Sequence, residues 1–396
     1  MARWSRPQLT AVALRGIALP LFLVALFLLP SSSAAQAVLF IVDSPNDSGL
    51  GSLRQAILDA NNYGGYPTIM FDLAPYPRTI TLVSTLPAVT NDLEIIGPGA
   101  DKLTISGNNL VRVLELAYGA ELTLEGLTIA NGFDTSAGGG IYCQNSSGPS
   151  TTSLTITDCV FSGNRVIGSD DKGGAIYFDV WSPGTLTISG STFANNEAHS
   201  VVAYGGAIYT SAATSVANST FVGNKTNPTL DWGWGGAIYA GNAGLTMTHC
   251  TLYGNTSTPG ANSGGETGAI HAGATVPVTL VNTIIADNPG GNCWGTITNG
   301  GGNLQRGDTT CGATIPVFDP GLLPLADNGG STPTMALPLG SPAVDACACA
   351  GLTTDQRGEP RPFDWLSVDN GDVCDIGAFE KVGAHLYLSL VLRAAP

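Results

Sequence analysis

Hydrophobic and polar positions of this chain alternate in short runs that recur about every 30 residues. Five of these runs end in an asparagine, at positions 164, 196, 224, 255 and 288, and a Gly-Gly-Ala-Ile-Tyr phrase or a close variant lies between them. The runs are rich in Thr, Ile, Val and Phe and are separated by Gly, Asn and Ser, which predicts strands and turns. Because a fixed period of this length is the signature of a repeat architecture, we expect a solenoid with one coil per repeat.

Alignment of the repeats places similar side chains in columns. A large apolar residue precedes each asparagine by three positions, and a small residue precedes the apolar one by two, with a mostly Thr position between them. This period of two predicts a strand with one face inside the solenoid. We expect the asparagines to form a ladder from coil to coil and to occupy a left-handed turn position. The large column is Phe161, Phe193, Phe221, Leu252 and Ile285, and the small one is Cys159, Ser191, Ser219, Cys250 and Thr283.

The regions on either side of the repeats depart from this pattern. Ser52 and Gln55 have the spacing of a capping box, and an apolar stripe follows, which predicts a helix that caps the first coil. Beyond Asn288 the chain becomes rich in Gly and Pro. We interpret residues 291–380 as a last coil and an irregular C-terminal cap, and 381–396 as a tail that is either a strand or a sorting signal. The stripe of the helix is Leu53, Ala56, Ile57 and Ala60.

Three segments resemble known families. The Gly-Gly-Ala-Ile phrase followed by Phe-x-x-Asn, over residues 131–290, resembles the polymorphic outer-membrane protein repeat. Residues 51–57 (GSLRQAI), within the N-terminal cap and first coils at 38–130, resemble the CSLREA domain, with Gly51 in place of its Cys. Residues 327–380 are similar to the choice-of-anchor Q domain. These resemblances imply an all-β, right-handed, single-stranded parallel β-helix of the pectate-lyase type on a surface protein, and they imply no catalytic activity.

The first 37 residues have the order of a secretory signal. They carry three Arg and no acid, then an apolar stretch from Ile17 to Leu29, then Ala35-Gln36-Ala37. This order predicts a signal peptide cleaved after Ala37, the alternative being an uncleaved anchor. Removal leaves 12 basic and 30 acidic residues, a net charge of −18 that disfavours nucleic acid and anionic membranes as partners. We expect a secreted or cell-surface monomer with no membrane-spanning segment after signal removal.

Eight cysteines in an exported chain predict disulfide bonds. Sequence separation favours three loops: Cys143 with Cys159, Cys293 with Cys311, and Cys374 with either Cys347 or Cys349. The alternative for Cys159, as for Cys250, is a small apolar filler of the inward column.

Candidate catalytic residues are few. Between residues 131 and 300 the basic residues are Arg165, Lys172 and Lys225, and all three are expected in loops that follow an asparagine turn, away from the strand faces. Asp170 and Asp171, beside Lys172 and near Arg165, are the best acidic candidates, because paired carboxylates can hold calcium or act as acid and base. The alternative is a solvated acidic loop. No other cofactor is expected.

Aromatic residues in the same loops indicate binding. Tyr204, Trp232 and Trp234, with Asp231 beside them, are suited to stack on sugar rings or to anchor a partner protein, unless they fold back over their own loops. A tyrosine column that ends with His271 predicts an outward stripe, which we interpret as ladder packing. The favoured function is adhesive binding of an extracellular glycan or surface protein. The alternative is a polysaccharide lyase or glycoside hydrolase.

Overall fold

The structure is a computed structural model that describes residues 38–144, 151–168, 170–180, 183–258, 260, 268–363 and 373–382. The predicted signal peptide and the tail from residue 383 lie outside these ranges. For Asp170 and Asp171 the backbone lies within the described part of the chain and the side chains lie outside it.

Each repeat forms one coil whose short strands pair in parallel and in register with the next coil. Within the described ranges, three long sheets run the length of the solenoid with ten, nine and seven strands. We name the ten-stranded sheet the threonine sheet and the seven-stranded sheet the aromatic sheet, after the residues on their outer faces. The nine-stranded sheet is called the flank sheet. Such stacking satisfies backbone groups from coil to coil, and it confirms the predicted all-β parallel solenoid.

The strands of the three long sheets are short, with three to five residues in all but one. The threonine sheet contains Leu39–Val42, Thr68–Phe71, Leu93–Ile96, Glu121–Glu125, Ser153–Thr157, Thr185–Ser189, Ala213–Ala217, Leu245–Thr248, Pro277–Val281 and Thr296–Asn299. The flank sheet contains Arg78–Thr81, Leu103–Ser106, Thr128–Ala130, Val160–Ser162, Thr192–Ala194, Thr220–Val222, Thr251–Tyr253, Ile284–Ala286 and Leu304–Arg306. The aromatic sheet contains Leu114–Leu116, Ile141–Gln144, Ile176–Asp179, Ile208–Thr210, Ile238–Ala240, Ile270–Ala272 and Cys293–Trp294.

The predicted inward columns form the core. Phe161, Phe193 and Phe221 are fully buried, and their ring centroids lie 4.9 and 4.8 Å apart with planes only 3° from parallel. These distances equal the spacing between neighbouring strands, as expected when identical residues share a register position.

The asparagine ladder is confirmed in its hydrogen bonds and corrected in its backbone. The Asn196 Oδ1 accepts a bond from the backbone N–H of Asn164 at 3.0 Å, and the Asn196 Nδ2 donates to the Asn224 Oδ1 at 2.9 Å. The left-handed conformation belongs to the residue before each ladder position, such as Gly163 and Asn195. The ladder asparagine therefore turns inward to bond the coils, while its neighbour makes the turn.

The N-terminal cap is a helix over Leu53–Tyr63, as predicted. The Ser52 side chain accepts a bond from the Gln55 N–H, and the apolar stripe Leu53, Ala56, Ile57 and Ala60 is buried against the first coil. Gly64, with a φ of 72°, follows the last helical residue.

The segments after the asparagine turns, which we expected to be loops, form two further parallel sheets. One has the strands Phe133–Asp134, Arg165–Ile167, Glu197–His199, Lys225–Thr226 and Thr256–Ser257, and the other has Asp170–Lys172, Val202–Tyr204 and Gly233–Trp234. The prediction that the basic residues lie off the strands is therefore wrong. Equivalent segments of adjacent coils lie side by side, so their backbone groups pair even where the sequence varies.

The C-terminal region caps the end only in part. Cys311 and Ile315 are buried in the main core and close the last coil. The chain then runs back over the outer face of the flank sheet, where the Thr192 Oγ1 donates to the Pro333 carbonyl and the Thr220 Oγ1 to the Gln356 Oε1. An antiparallel pair, Cys347–Ala348 with Val373–Cys374, lies in this region.

Two of the expected disulfides are present and one is not. Cys293 bonds to Cys311 and Cys349 bonds to Cys374, whereas Cys143 and Cys159 are free thiols. Cys143 points inward from the aromatic sheet, and Cys159 points inward beside the flank sheet. Both are fully buried core fillers, so the predicted bond between them is wrong although their sequence separation permits it.

Candidate functional site

The outer face of the aromatic sheet carries a continuous stack of six rings, which we call the aromatic ladder. Their residues share one register position because each follows an inward apolar residue on its strand. Successive ring centroids lie between 4.4 and 5.3 Å apart. The predicted outward stripe is thus real, and it extends one coil further than expected. The ladder consists of Tyr142, Tyr177, Tyr209, Tyr239, His271 and Trp294.

A second row of rings leans against the ladder. The Tyr204 ring lies 5.1 Å from the Tyr239 ring at 78°, and the Trp234 ring lies 5.4 Å from the His271 ring. The side chains converge because the chain turns sharply between the two sheets. At Gly235 the φ is 70°, and a Cβ there would lie 2.2 Å from the Ile238 carbonyl oxygen, so glycine is needed at this corner.

We call the ladder together with Tyr204, Trp232 and Trp234 the aromatic groove. Within the ladder each ring face is covered by the next ring; Tyr177 and His271 are buried, and Tyr142, Tyr209 and Tyr239 are half-buried. The two most open residues are Trp232 and Trp294, which are 44% and 51% exposed. The loop aromatics and the tyrosine stripe, which the sequence suggested as separate surfaces, are one surface.

Polar groups border the ladder on the side away from the tryptophans. The Tyr177 hydroxyl donates to the Asp179 Oδ2 at 2.9 Å, and the Tyr142 hydroxyl donates to the Gln144 Oε1. Burial and the neighbouring Asp179 carboxylate raise the pKa of Tyr177 above its usual range. The groove therefore combines apolar ring surface with a row of hydrogen-bonding groups.

Two cations of the chain lie on rings of the groove. The Arg112 guanidinium lies 4.4 Å from the centroid of the Tyr142 ring and also pairs with Glu115 and Asp134. The Lys172 Nζ lies 5.4 Å from the Tyr204 centroid and 5.5 Å from the Tyr209 centroid. Both distances are within the range of cation–π attraction.

The candidate catalytic residues are distributed over two sheets. Arg165 lies on the five-stranded sheet with its guanidinium 5.4 Å from the Phe133 ring centroid, whereas Lys172 lies in the groove. The backbone of Asp170 and Asp171 pairs with Val202 and Ala203, in the same sheet as Lys172. Their carboxylates lie outside the described side chains, so their catalytic role stays a prediction.

Asp231 lies at the rim of the groove. Its backbone N–H donates to the Val201 carbonyl at 3.0 Å, and its carbonyl accepts from the Gly260 N–H at 3.0 Å. These bonds fix the backbone immediately before Trp232, and the Asp231 side chain is half-buried.

Among the residues whose placement is described, no three His, Cys, Asp or Glu side chains are grouped to hold a metal ion. The suggested calcium site at Asp170 and Asp171 remains a prediction. In the same residues, no helix is long and apolar enough to span a bilayer.

Sequence reasoning missed Trp294 and Arg112, the residues at the two ends of the ladder. Trp294 lies after the last Gly-Ala-Ile phrase, and its inward neighbour is Cys293 rather than Ile, so the motif does not reach it. Arg112 precedes the first phrase and reaches the ladder through its long side chain. A register count from His271 to the next coil would have found Trp294, whereas Arg112 has no such signal.

Comparison with known proteins supports the architecture. A family model described as the right-handed β-helix region matches residues 97–225, which include the coils that carry Tyr142, Tyr177 and Tyr209. The fold is a right-handed parallel β-helix. No curated protein matches the chain. The β-helix match is compatible with binding or carbohydrate-related roles and does not distinguish between them.

Proposed function

We propose that the protein is an exported, monomeric carbohydrate-binding protein whose ligand lies in the aromatic groove. The observation that carries this proposal is the convergence of two rows of rings on one outer face of the solenoid. Trp232 and Trp294 of this face are 44% and 51% exposed, and contiguous exposed apolar patches mark interaction sites.

The chemistry of the groove suits a sugar. A pyranose has an apolar C–H face and a rim of hydroxyls, so it needs a flat apolar partner and hydrogen-bonding groups at the edge. Trp232 and Trp294 supply the exposed rings. Asp179 and Gln144 line the opposite margin. Ligand sites typically have a small number of polar groups beside an aromatic surface, and these polar groups fix the orientation of the ligand.

The ladder also favours a polymer over a single sugar. Its rings repeat at 5.1 to 5.3 Å over the four tyrosines, because every coil contributes one ring at the same register. The half-buried rings of Tyr142, Tyr209 and Tyr239 offer similar contacts to successive units of a chain, and several weak contacts then add within one ligand.

Export and surface display are parts of the same proposal. They are supported by the signal-like order of residues 1–37 and by the family resemblances of the repeats and of the two flanking regions. A binding role is favoured over turnover because the two described basic residues of the groove, Arg112 and Lys172, lie over tyrosine rings of the chain itself.

The test is a glycan array run beside a turnover assay on polysaccharides. Changing Trp232 and Trp234 together to Ala should weaken binding by about thirtyfold, equivalent to about 2 kcal/mol, because these rings are aromatic anchors of the surface. The control is the double change of Tyr66 and Phe318 to Ala, which removes two other exposed aromatic side chains that the groove does not contain.

Normal binding by the folded Trp232→Ala, Trp234→Ala variant would show that the groove is not the binding face. Bond cleavage that is abolished by Asp170→Asn and Asp171→Asn would instead establish the enzyme alternative. Binding only to a surface protein would replace the glycan as the ligand.

A further inference from the structure

The charged side chains around the aromatic groove are mostly acidic. Asp179 lies beside the ladder, Asp231 lies at the rim next to Trp232, and Glu115 occupies the register position one coil before Tyr142. Against these the described groove has two cations, Arg112 and Lys172, and both already lie on rings of the chain itself. Because Glu115 already pairs with Arg112, the acidic excess at the groove comes from Asp179 and Asp231, in a chain whose formal net charge is −15.

The rings of the groove are arranged to accept cations. Arg112 covers the Tyr142 end of the ladder, and the Lys172 ammonium lies over Tyr204 of the second row and Tyr209 of the ladder. Within the chain itself, this surface therefore already binds an ammonium group on aromatic rings. At the other end of the ladder, Trp294 is 51% exposed and stacks on His271 at 4.4 Å. Indole is the ring that attracts cations most strongly.

We infer that the ligand in the groove is a cationic amino-sugar chain, of the poly-glucosamine type, whose ammonium groups lie over the exposed indole faces and near the Asp179 and Asp231 carboxylates. This inference rests on the proposed function and specifies its ligand. Uronic-acid polymers, whose carboxylates would face Asp179 and Asp231 without a free cation in the described groove, are disfavoured. Repulsion between like charges at a contact lowers affinity as effectively as attraction raises it.

The test compares three oligosaccharides of equal length by titration calorimetry with the full mature chain: a glucosamine oligomer, its fully N-acetylated form and a galacturonate oligomer. Acetylation removes the positive charge and keeps the sugar ring. The glucosamine oligomer should bind at least tenfold more tightly than the acetylated form, and the galacturonate should bind most weakly. The preference should shrink as salt is added, because exposed charges are screened.

Two variants locate the charge effect. Asp179→Asn combined with Asp231→Asn should reduce the tenfold preference to less than threefold, because only the glucosamine oligomer loses an ionic contact. The matched control is Glu121→Gln combined with Asp319→Asn, which removes the same formal charge from exposed positions outside the groove. The control should keep the preference.

The outcomes separate the two proposals. Equal binding of the glucosamine and acetylated oligomers overturns the charge inference and leaves carbohydrate binding in place. Tightest binding of galacturonate also overturns it. If none of the three oligomers, and no glycan of the array, binds, the proposed function itself fails. Loss of preference in the control variant as well would show that overall charge, rather than the groove, sets it.

Discussion

The asparagine ladder gives the sharpest stability prediction. The Asn196 side chain is fully buried and makes four hydrogen bonds. Its Oδ1 accepts from the Asn164 backbone N–H and side-chain Nδ2, both at 3.0 Å. Its Nδ2 donates to the Phe161 carbonyl at 3.0 Å and to the Asn224 Oδ1 at 2.9 Å. Every one of these partners belongs to a neighbouring coil.

Changing Asn196 to Ala leaves two donors of Asn164 and the Phe161 carbonyl without this partner in the core. A buried polar group that loses its partner costs roughly 1–3 kcal/mol, so we expect a loss of about 4 kcal/mol in the free energy of unfolding. Asn196→Asp should be at least as damaging, because a carboxylate would face the Phe161 and Asn224 oxygens and cannot donate to them.

The control is the adjacent residue. Asn195 is exposed and has a φ of 55°, so its contribution is the tolerance of its backbone for the left-handed conformation. Asn195→Ala should cost about 1 kcal/mol. Urea unfolding followed by circular dichroism measures both variants, provided that the slope of the transition is unchanged. A cost for Asn196→Ala no larger than that for Asn195→Ala would refute the ladder as a major source of stability.

Two further predictions concern cysteine and pH. Denaturation without reduction, followed by alkylation and mass measurement, should label the four thiols of Cys143, Cys159, Cys250 and Cys347. Digestion should recover the disulfide-bonded peptides Cys293–Cys311 and Cys349–Cys374. A labelled Cys293 would contradict the closed last coil. Burial lowers the pKa of His271 to about 4. The unfolded chain therefore binds a proton at this histidine below about pH 6.5, whereas the folded chain does not until about pH 4. The stability that His271 contributes above about pH 6.5 is lost as the pH falls towards 4. The free energy of unfolding is measured by urea titration at pH 7 and at pH 4.5. The loss between these two pH values should be smaller in His271→Phe than in wild type by up to about 3 kcal/mol. An identical loss in the two proteins would contradict a buried neutral imidazole.

Repetition explains why so much of the fold was predictable. In parallel coils in register, residues that recur at the same position of each repeat stack on one another. The stacking of Phe161, Phe193 and Phe221 could therefore be predicted from the repeat alone. The capping helix was predictable for a local reason, since Ser52 and its apolar stripe interact within a few residues.

Features that depend on turn angles or on long-range contacts were not predictable. The meeting of Trp234 with Tyr239 requires the bend at Gly235, which the motif marks as a turn without giving its direction. The contact of Gln356 with Thr192 joins residues 164 apart in the sequence and has no periodic signal. Likewise Cys347 lies opposite Cys374 in the antiparallel pair, yet Cys349 makes the bond, a choice that spacing alone leaves open.

The central claim is that the aromatic groove holds a glycan chain, and a crystal structure of the mature protein with a glucosamine oligomer tests it most directly. The account predicts sugar density along the solenoid axis, in contact with Trp232, Trp234 and Trp294 and bordered by Asp179. Density confined to another surface, such as the outer face of the threonine sheet, would contradict it.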